Sequence, residues 1–260
     1  MRVIPKVLRR RTPDRETDSM TVMEHLEELR RRIVICLIAI IVAAGLAWPI
    51  YGPFLRLIQK PFCQYVQTLP AKSRPPAGCN LVFLNLLDGM FVKLEVVLYL
   101  AIAISLPILL YQLWAFIVPG LHDREKSMAV PFILSSVVLF VVGAAFAYLL
   151  LPHALQFLLG FAGSSAVPLL SVKQYVGFVV LLGIAFGISF EFPVVLIFLM
   201  LIGVLHTWQL RKFRRFALLG IAVFAAVITP SSDIYSMLGM MIPMVVFYEA
   251  AIIIGRLLKR

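Results

Sequence analysis

Seven stretches of 15 or more residues in this 260-residue chain contain no Asp, Glu, Lys or Arg: 33–55, 96–122, 127–172, 174–190, 192–210, 216–232 and 234–248. A helix crosses the roughly 30 Å hydrocarbon core of a bilayer with about 20 predominantly apolar residues. Hydrophobic residues make up 62% of the chain and charged residues 14%, against about 45–50% and roughly 25% in soluble domains. A water-soluble globule of this length could not hide so much apolar surface. These figures exclude a soluble enzyme, a disordered tail and a disulfide scaffold. They predict an all-α polytopic membrane protein.

Six spans are expected, at about 33–51, 94–118, 129–151, 174–202, 213–228 and 234–254. Residues 1–20, basic and carrying Pro5 and Pro13, read as a flexible tail, and 21–258 as a single transmembrane domain. Residues 154–162 are apolar but too short to cross, so they read as an interfacial helix or turn. The fifth segment is short: Phe216 to Ile228 covers roughly 20 Å at 1.5 Å per residue. Either the bilayer thins there, or the hairpin stops short, or Arg214 and Arg215 snorkel.

The net charge is +11, and its placement separates a membrane surface from nucleic acid as the partner. With six spans, the N-terminus, the loops near 119–128 and 203–215, and the C-terminus share one side. That side carries eighteen Lys and Arg, against six on the other (Arg56, Lys60, Lys72, Arg74, Lys93 and Lys173). The positive-inside rule puts both termini in the cytoplasm. Trp48, Trp114 and Trp208 fall near segment ends, where interfacial aromatics collect. Arg9-Arg10-Arg11 resembles part of an export signal, but no apolar run follows before Ile33, so the first segment reads as a retained anchor.

Cys36 falls inside the first segment and reads as packing. Cys63 and Cys79 fall in the outer loop near 52–92, on the face where disulfides persist. A bond between them would clip that loop; two free thiols are the alternative, and thiol labelling with and without reductant decides.

Ionisable groups at membrane depth are costly and mark function by default. Glu191, in Phe190-Glu191-Phe192-Pro193, is the clearest. Pro193 cannot donate its backbone bond, so a kink and a polar cavity are expected there. The alternative is a neutral acid hydrogen-bonded to a neighbouring helix, for instance at Gln112. Gly183 and Gly187 form a GxxxG pair that predicts close helix packing. On the basic side, Val22, Leu26, Leu29 and Ile33 recur at helical spacing, predicting an amphipathic helix on the inner surface. Glu27 and Glu28 precede Arg31 and Arg32 by four, which suits internal ion pairs. Glu28 and Glu125 share that side on separate elements. Each could instead take one guanidinium of a ligand with adjacent arginines, in planar, charge-assisted pairs that Lys reproduces poorly.

These residues fall into a known pattern. His25-Leu26-Glu27-Glu28-Leu29-Arg30-Arg31-Arg32, Tyr111-Gln112-Leu113-Trp114-Ala115-Phe116-Ile117-Val118-Pro119-Gly120-Leu121 followed by Glu125, Phe190-Glu191-Phe192-Pro193, Thr229-Pro230 with Asp233, and Pro243 with Tyr248-Glu249 occur in order. Over about residues 23–258 the chain resembles TatC, the polytopic core of the twin-arginine protein translocase. The resemblance implies a six-helix, glove-shaped fold with a concave face. It implies a signal-peptide site made of Glu28, Glu125, Arg30 and Leu121, with Glu191 facing the concavity. It also implies TatA and TatB as partners, self-association in a larger complex, residence in the cytoplasmic membrane, and drive by the proton-motive force. The sequence departs from the pattern at His122, at Arg124 and Lys126 around Glu125, in the longer Thr229-Pro230-Ser231-Ser232-Asp233, and at Met237. The outer-loop cysteines resemble those of actinobacterial members.

The leading function is therefore a receptor for twin-arginine signal peptides that organises export of folded proteins. A proton-coupled small-solute transporter using Glu191 is the alternative, and the missing inverted repeat argues against it. An intramembrane enzyme ranks last, with no HExxH and no GxSxG elbow. No phosphate-binding Gly-rich loop points to a nucleotide, and no metal or cofactor is expected.

Overall fold

The computed structural model describes residues 22–70, 74–76, 78–117, 129–160, 170–229 and 234–257. Within them lie nine helices: α1 Val22–Ala47, α2 Tyr51–Thr68, α3 Asp88–Ile117, α4 Ala129–Gly160, α5 Val172–Phe190, α6 Phe192–Leu201, α7 Thr207–Lys212, α8 Arg214–Ile228 and α9 Ile234–Leu257. There is no β-strand among the described residues beyond one isolated bridge between Val82 and Ser171. We call the end where α1 begins the basic end, and the opposite one the far end.

Four stretches are long and apolar enough to cross a membrane: Asp88–Phe116, Val130–Gly160, Val172–Leu201 and Ile234–Leu257. α1 and α2, bent by 80° at their junction, make a fifth only when counted together as one span. The remaining expected segment is α8, with 15 residues, or roughly 22 Å at 1.5 Å per residue. It is shorter than the hydrocarbon core is thick, as its sequence suggested.

Three expectations about where helices run change. The amphipathic residues before Ile33 are not a separate surface helix: α1 runs unbroken from Val22 through Ala47. The outer loop near 52–92 is largely helix. In α2, Ile58, Phe62, Tyr65 and Val66 are buried, while Arg56, Lys60, Gln64 and Gln67 face out, the pattern of a helix lying on a protein surface. Residues 154–160 continue α4, which carries Pro152 within it. Surrounding protein and local helix adjustment tolerate such a proline inside an apolar helix.

The core sits where α4, α5 and α9 meet. Gly143 and Gly187 let α4 and α5 touch. A Cβ at Gly143 would lie 2.7 Å from the Phe186 carbonyl oxygen, and one at Gly187 2.7 Å from the Phe140 ring. Gly183, the other half of the GxxxG pair, faces open space. Gly239 in turn receives the Leu150 side chain against α9.

The far end is fastened by backbone acceptors. Tyr175 Oη donates to the Ile58 carbonyl at 2.5 Å and Tyr148 Oη to the Leu57 carbonyl at 3.1 Å, tying α5 and α4 to α2. Val82 N–H donates to the Leu170 carbonyl, and Val172 N–H to the Val82 carbonyl. Lys93 Nζ lies 4.3 Å from the Trp48 ring centroid, so this tryptophan holds a cation at the α1–α2 corner. Trp114, expected at an interface, is instead buried. It packs on Phe132 and Phe198 with ring centroids 5.1 and 4.6 Å away, joining α3, α4 and α6 near the basic end.

Candidate functional site

At the basic end the first turns of α1 lie against the last turns of α3. His25 stacks on Phe116 with centroids 4.3 Å apart. One turn along, Glu28 and Arg32 face the same way, as residues four apart on a helix must. Arg32 Nε donates to Glu28 Oε1 at 3.1 Å, and Nη2 donates to the same oxygen. Arg32 also crosses to α3: Nη1 donates to Gln112 Oε1 at 3.2 Å and Nη2 to the Ala115 carbonyl at 2.7 Å. Glu28 Oε2 is buried and accepts no hydrogen bond.

The i,i+4 ion pair expected at Glu28 is therefore present, and it is one part of an interhelix network. Sequence reasoning missed Arg32 as its centre. The available signal was an arginine one turn after Glu28 on the apolar-facing side of α1. Gln112, named above as one possible partner of Glu191, gives its oxygen to Arg32. Arg30 is exposed. It stands two residues from Glu28, a spacing that does not share a helix face. The structure brings it to the same end but not into this network. Glu125 and Leu121 lie outside the described residues.

The second polar feature is the break in the fourth segment. α5 ends at Phe190, and Glu191 occupies the junction with φ −71° and ψ −16°. α6 begins at Phe192, with Pro193 in its first turn, the position that tolerates a missing N–H. The helix is interrupted at Glu191, yet Val172–Leu201 remains one span, and the polar cavity expected from Pro193 is replaced by an apolar groove. The groove has a volume of about 660 Å³ and is walled by Glu191, Gln209, Phe213, Ile221, Met244 and Tyr248 among others. The other polar wall residues are occupied: Ser189 Oγ donates to the Ala185 carbonyl, and Gln209 Oε1 accepts the His206 N–H. The Glu191 carboxyl is half-buried and hydrogen-bonds Ser136, yet its Oε1 is buried without a partner. The groove is thus an apolar wall with one carboxyl held at its edge.

Tyr248 and Glu249 close the basic end of α9. Tyr248 Oη donates to the Leu210 carbonyl, and Arg214 Nη2 to Glu249 Oε2, both at 2.7 Å. Thr229 Oγ1 donates to the Ala225 carbonyl at the end of α8, while Pro230 and Asp233 lie outside the described residues. Cys63 and Cys79 carry free thiols here, and Cys63 Sγ lies 3.8 Å from the Cys79 carbonyl oxygen. Burial first, and then the Cys79 thiol, push the Cys63 thiol up to about 11. Among the described residues no group of three or more His, Cys, Asp or Glu side chains could hold a metal ion.

Comparison with known proteins places this geometry. Residues 24–243 match the family model described as Sec-independent protein translocase protein (TatC). A protein of that name from Frankia casuarinae is 40% identical over 100% of this chain and 72% of its own length. Its namesake from Aquifex aeolicus is 37% identical over 93% of this chain and 97% of its own. A crystal structure described as the twin arginine translocase receptor TatC superposes with a TM-score of 0.72 at 36% identity. It covers 91% of this chain and 100% of the crystallised one. The residues matched run from the Glu28–Arg32 network through the Glu191 break into α9, and the chain belongs to the TatC family of Sec-independent protein translocase proteins.

Proposed function

We propose that this chain is the receptor core of a twin-arginine translocase in the cytoplasmic membrane. It captures the paired arginines of an export signal at the basic end and organises passage of the folded cargo. The observation that carries this reading is Glu28: a carboxylate at the inner end of α1 that already holds one guanidinium, that of Arg32, against α3. Guanidinium–carboxylate pairing is charge-assisted and planar, which suits discrimination of Arg from Lys. In this reading Glu125 supplies the second carboxylate, and Leu121 and Arg30 contribute to the same site.

The apolar stretch of the signal then lies along the groove beside Glu191, whose wall is almost wholly apolar. TatA and TatB are the partners of the assembly, several copies of the chain self-associate within it, and the proton-motive force drives it. A Cys63–Cys79 disulfide clips the outer segment once the protein meets an oxidising compartment.

The test is peptide binding to the chain in lipid nanodiscs, with Arg-Arg and Lys-Lys versions of one signal. Glu28→Ala and Glu125→Ala should each erase the preference for Arg-Arg. Full discrimination in both variants would remove these residues from the site. Proton-coupled solute transport at Glu191, the competing reading, predicts solute uptake into liposomes holding this chain alone.

A further inference from the structure

The network around Arg32 has a shape of its own. Three acceptors from two helices converge on one planar cation: Glu28 Oε1 from α1, with Gln112 Oε1 and the Ala115 carbonyl from α3. All three guanidinium nitrogens are used. These acceptors form a socket for one arginine side chain, and the chain fills it with its own. The remaining carboxylate oxygen, Glu28 Oε2, is buried and unpaired. An arginine arriving from outside therefore finds no exposed, vacant carboxylate oxygen on Glu28 in this arrangement.

We propose that Arg32 is a specificity-determining residue, a resident competitor for the Glu28 socket. The ligand's arginine binds by exchange with it. This rests on the reading of Glu28 as a signal-binding residue and adds how discrimination is achieved. A ligand arginine replaces the resident like for like: a flat cation whose three nitrogens satisfy the same three acceptors. A lysine brings one nitrogen on a flexible stem and cannot span acceptors laid out for a fork. The exchange is near balance for arginine and unfavourable for lysine. Without the resident, Glu28 would present an open carboxylate that attracts either cation, with less dependence on its shape.

Occupancy by Arg32 also lowers the apparent affinity for every ligand, because only the fraction of molecules with the socket open can bind. Both effects separate from a purely structural role. A residue that only braced α1 against α3 would weaken binding when removed, and would not alter the ratio between Arg and Lys ligands.

The test uses the full chain in lipid nanodiscs and two synthetic peptides with the same apolar stretch, one beginning Arg-Arg and one Lys-Lys. Arg32→Gln should bind the Arg-Arg peptide about tenfold more tightly than wild type. It should tighten Lys-Lys binding further, so that the Arg-over-Lys ratio shrinks. Arg32→Lys keeps the charge and the stem but loses the fork, so it should shift both quantities the same way by less. This second variant keeps the test usable if Arg32→Gln does not fold.

Glu28→Gln, measured alongside, separates the two claims. If it abolishes the Arg preference while the Arg32 variants bind more weakly, or keep the wild-type ratio, resident competition is wrong and the Glu28 site stands. If Glu28→Gln leaves the preference intact, the site itself is misplaced and the proposal falls with it.

Discussion

Gly143→Ala tests the helix contact on which the core is built. A methyl group at Gly143 would sit 2.7 Å from the Phe186 carbonyl oxygen, 2.9 Å from Phe190 Cγ and 3.0 Å from the Phe186 carbonyl carbon. Carbon prefers about 3.3–3.6 Å from such an oxygen and about 3.5–4.0 Å from another carbon, so α4 and α5 must separate by several tenths of an ångström. Two of the three obstacles are backbone. The third, the Phe190 ring, is boxed in by Phe146 at 5.8 Å and Phe247 at 5.0 Å. Overpacking of this kind costs about 1–3 kcal/mol.

Alanine in place of glycine also favours a helix by about 1 kcal/mol, which partly masks the clash. Gly183→Ala, on the same pair of helices, supplies the correction: it gains the propensity and meets nothing within 4 Å. The difference between the two variants, about 1–3 kcal/mol with Gly143→Ala the less stable, isolates the packing term. Reversible unfolding in mixed detergent micelles, followed by far-ultraviolet circular dichroism, measures it. Equal stabilities within about 0.5 kcal/mol would refute the close crossing at Gly143.

Two further predictions concern the ends of the molecule. In the reduced protein, Cys63 keeps its proton at pH 8, because a thiol raised to about 11 forms thiolate only as the pH climbs toward that value. Alkylation of Cys63 in a Cys36→Ser background, with Cys63 and Cys79 read separately by peptide mass mapping, should therefore be slower at pH 8 than that of an exposed cysteine and should accelerate steeply above it. A rate matching a free thiol would show that the site is open to water. Tyr248→Phe leaves the Leu210 carbonyl without its 2.7 Å donor beneath a residue only 2% exposed. A destabilisation of about 1–3 kcal/mol is expected in the same unfolding assay, and a value near zero would mean that water reaches that carbonyl.

The apolar spans were legible because hydrocarbon imposes length and composition on any helix that crosses it, and the charge-free gaps mark them directly. The break at Glu191 was legible because Pro193 removes a backbone donor wherever it stands. What escaped depended on neighbours. α2 holds Pro53, Pro61, Arg56 and Lys60, a composition that reads as loop. Its identity comes from Ile58, Phe62 and Tyr65 finding the flanks of α4 and α5. Helix α4 runs past Pro152 because the surrounding protein compensates the lost bond, which local propensity cannot register. Within the site, the Glu28–Arg32 pair was legible from its i,i+4 register. The partner of Gln112 was not: the sequence offered Glu191 as one possibility, and only the packing of α1 on α3 brings Arg32 to it.

The two ends of the molecule are fastened by different chemistry. At the far end, Tyr175, Tyr148 and the paired N–H groups of Val82 and Val172 all grip main-chain carbonyls, which neither titrate nor swing away. At the basic end, long charged side chains are added to such contacts: Arg32 ties α1 to α3 beside the His25–Phe116 stack, and Arg214 ties α8 to α9 beside the Tyr248 bond to the Leu210 carbonyl. If Arg32 gives way to a ligand as proposed, the contact that loosens lies at the basic end alone, and the main-chain bonds of the far end keep that pole of the molecule in register.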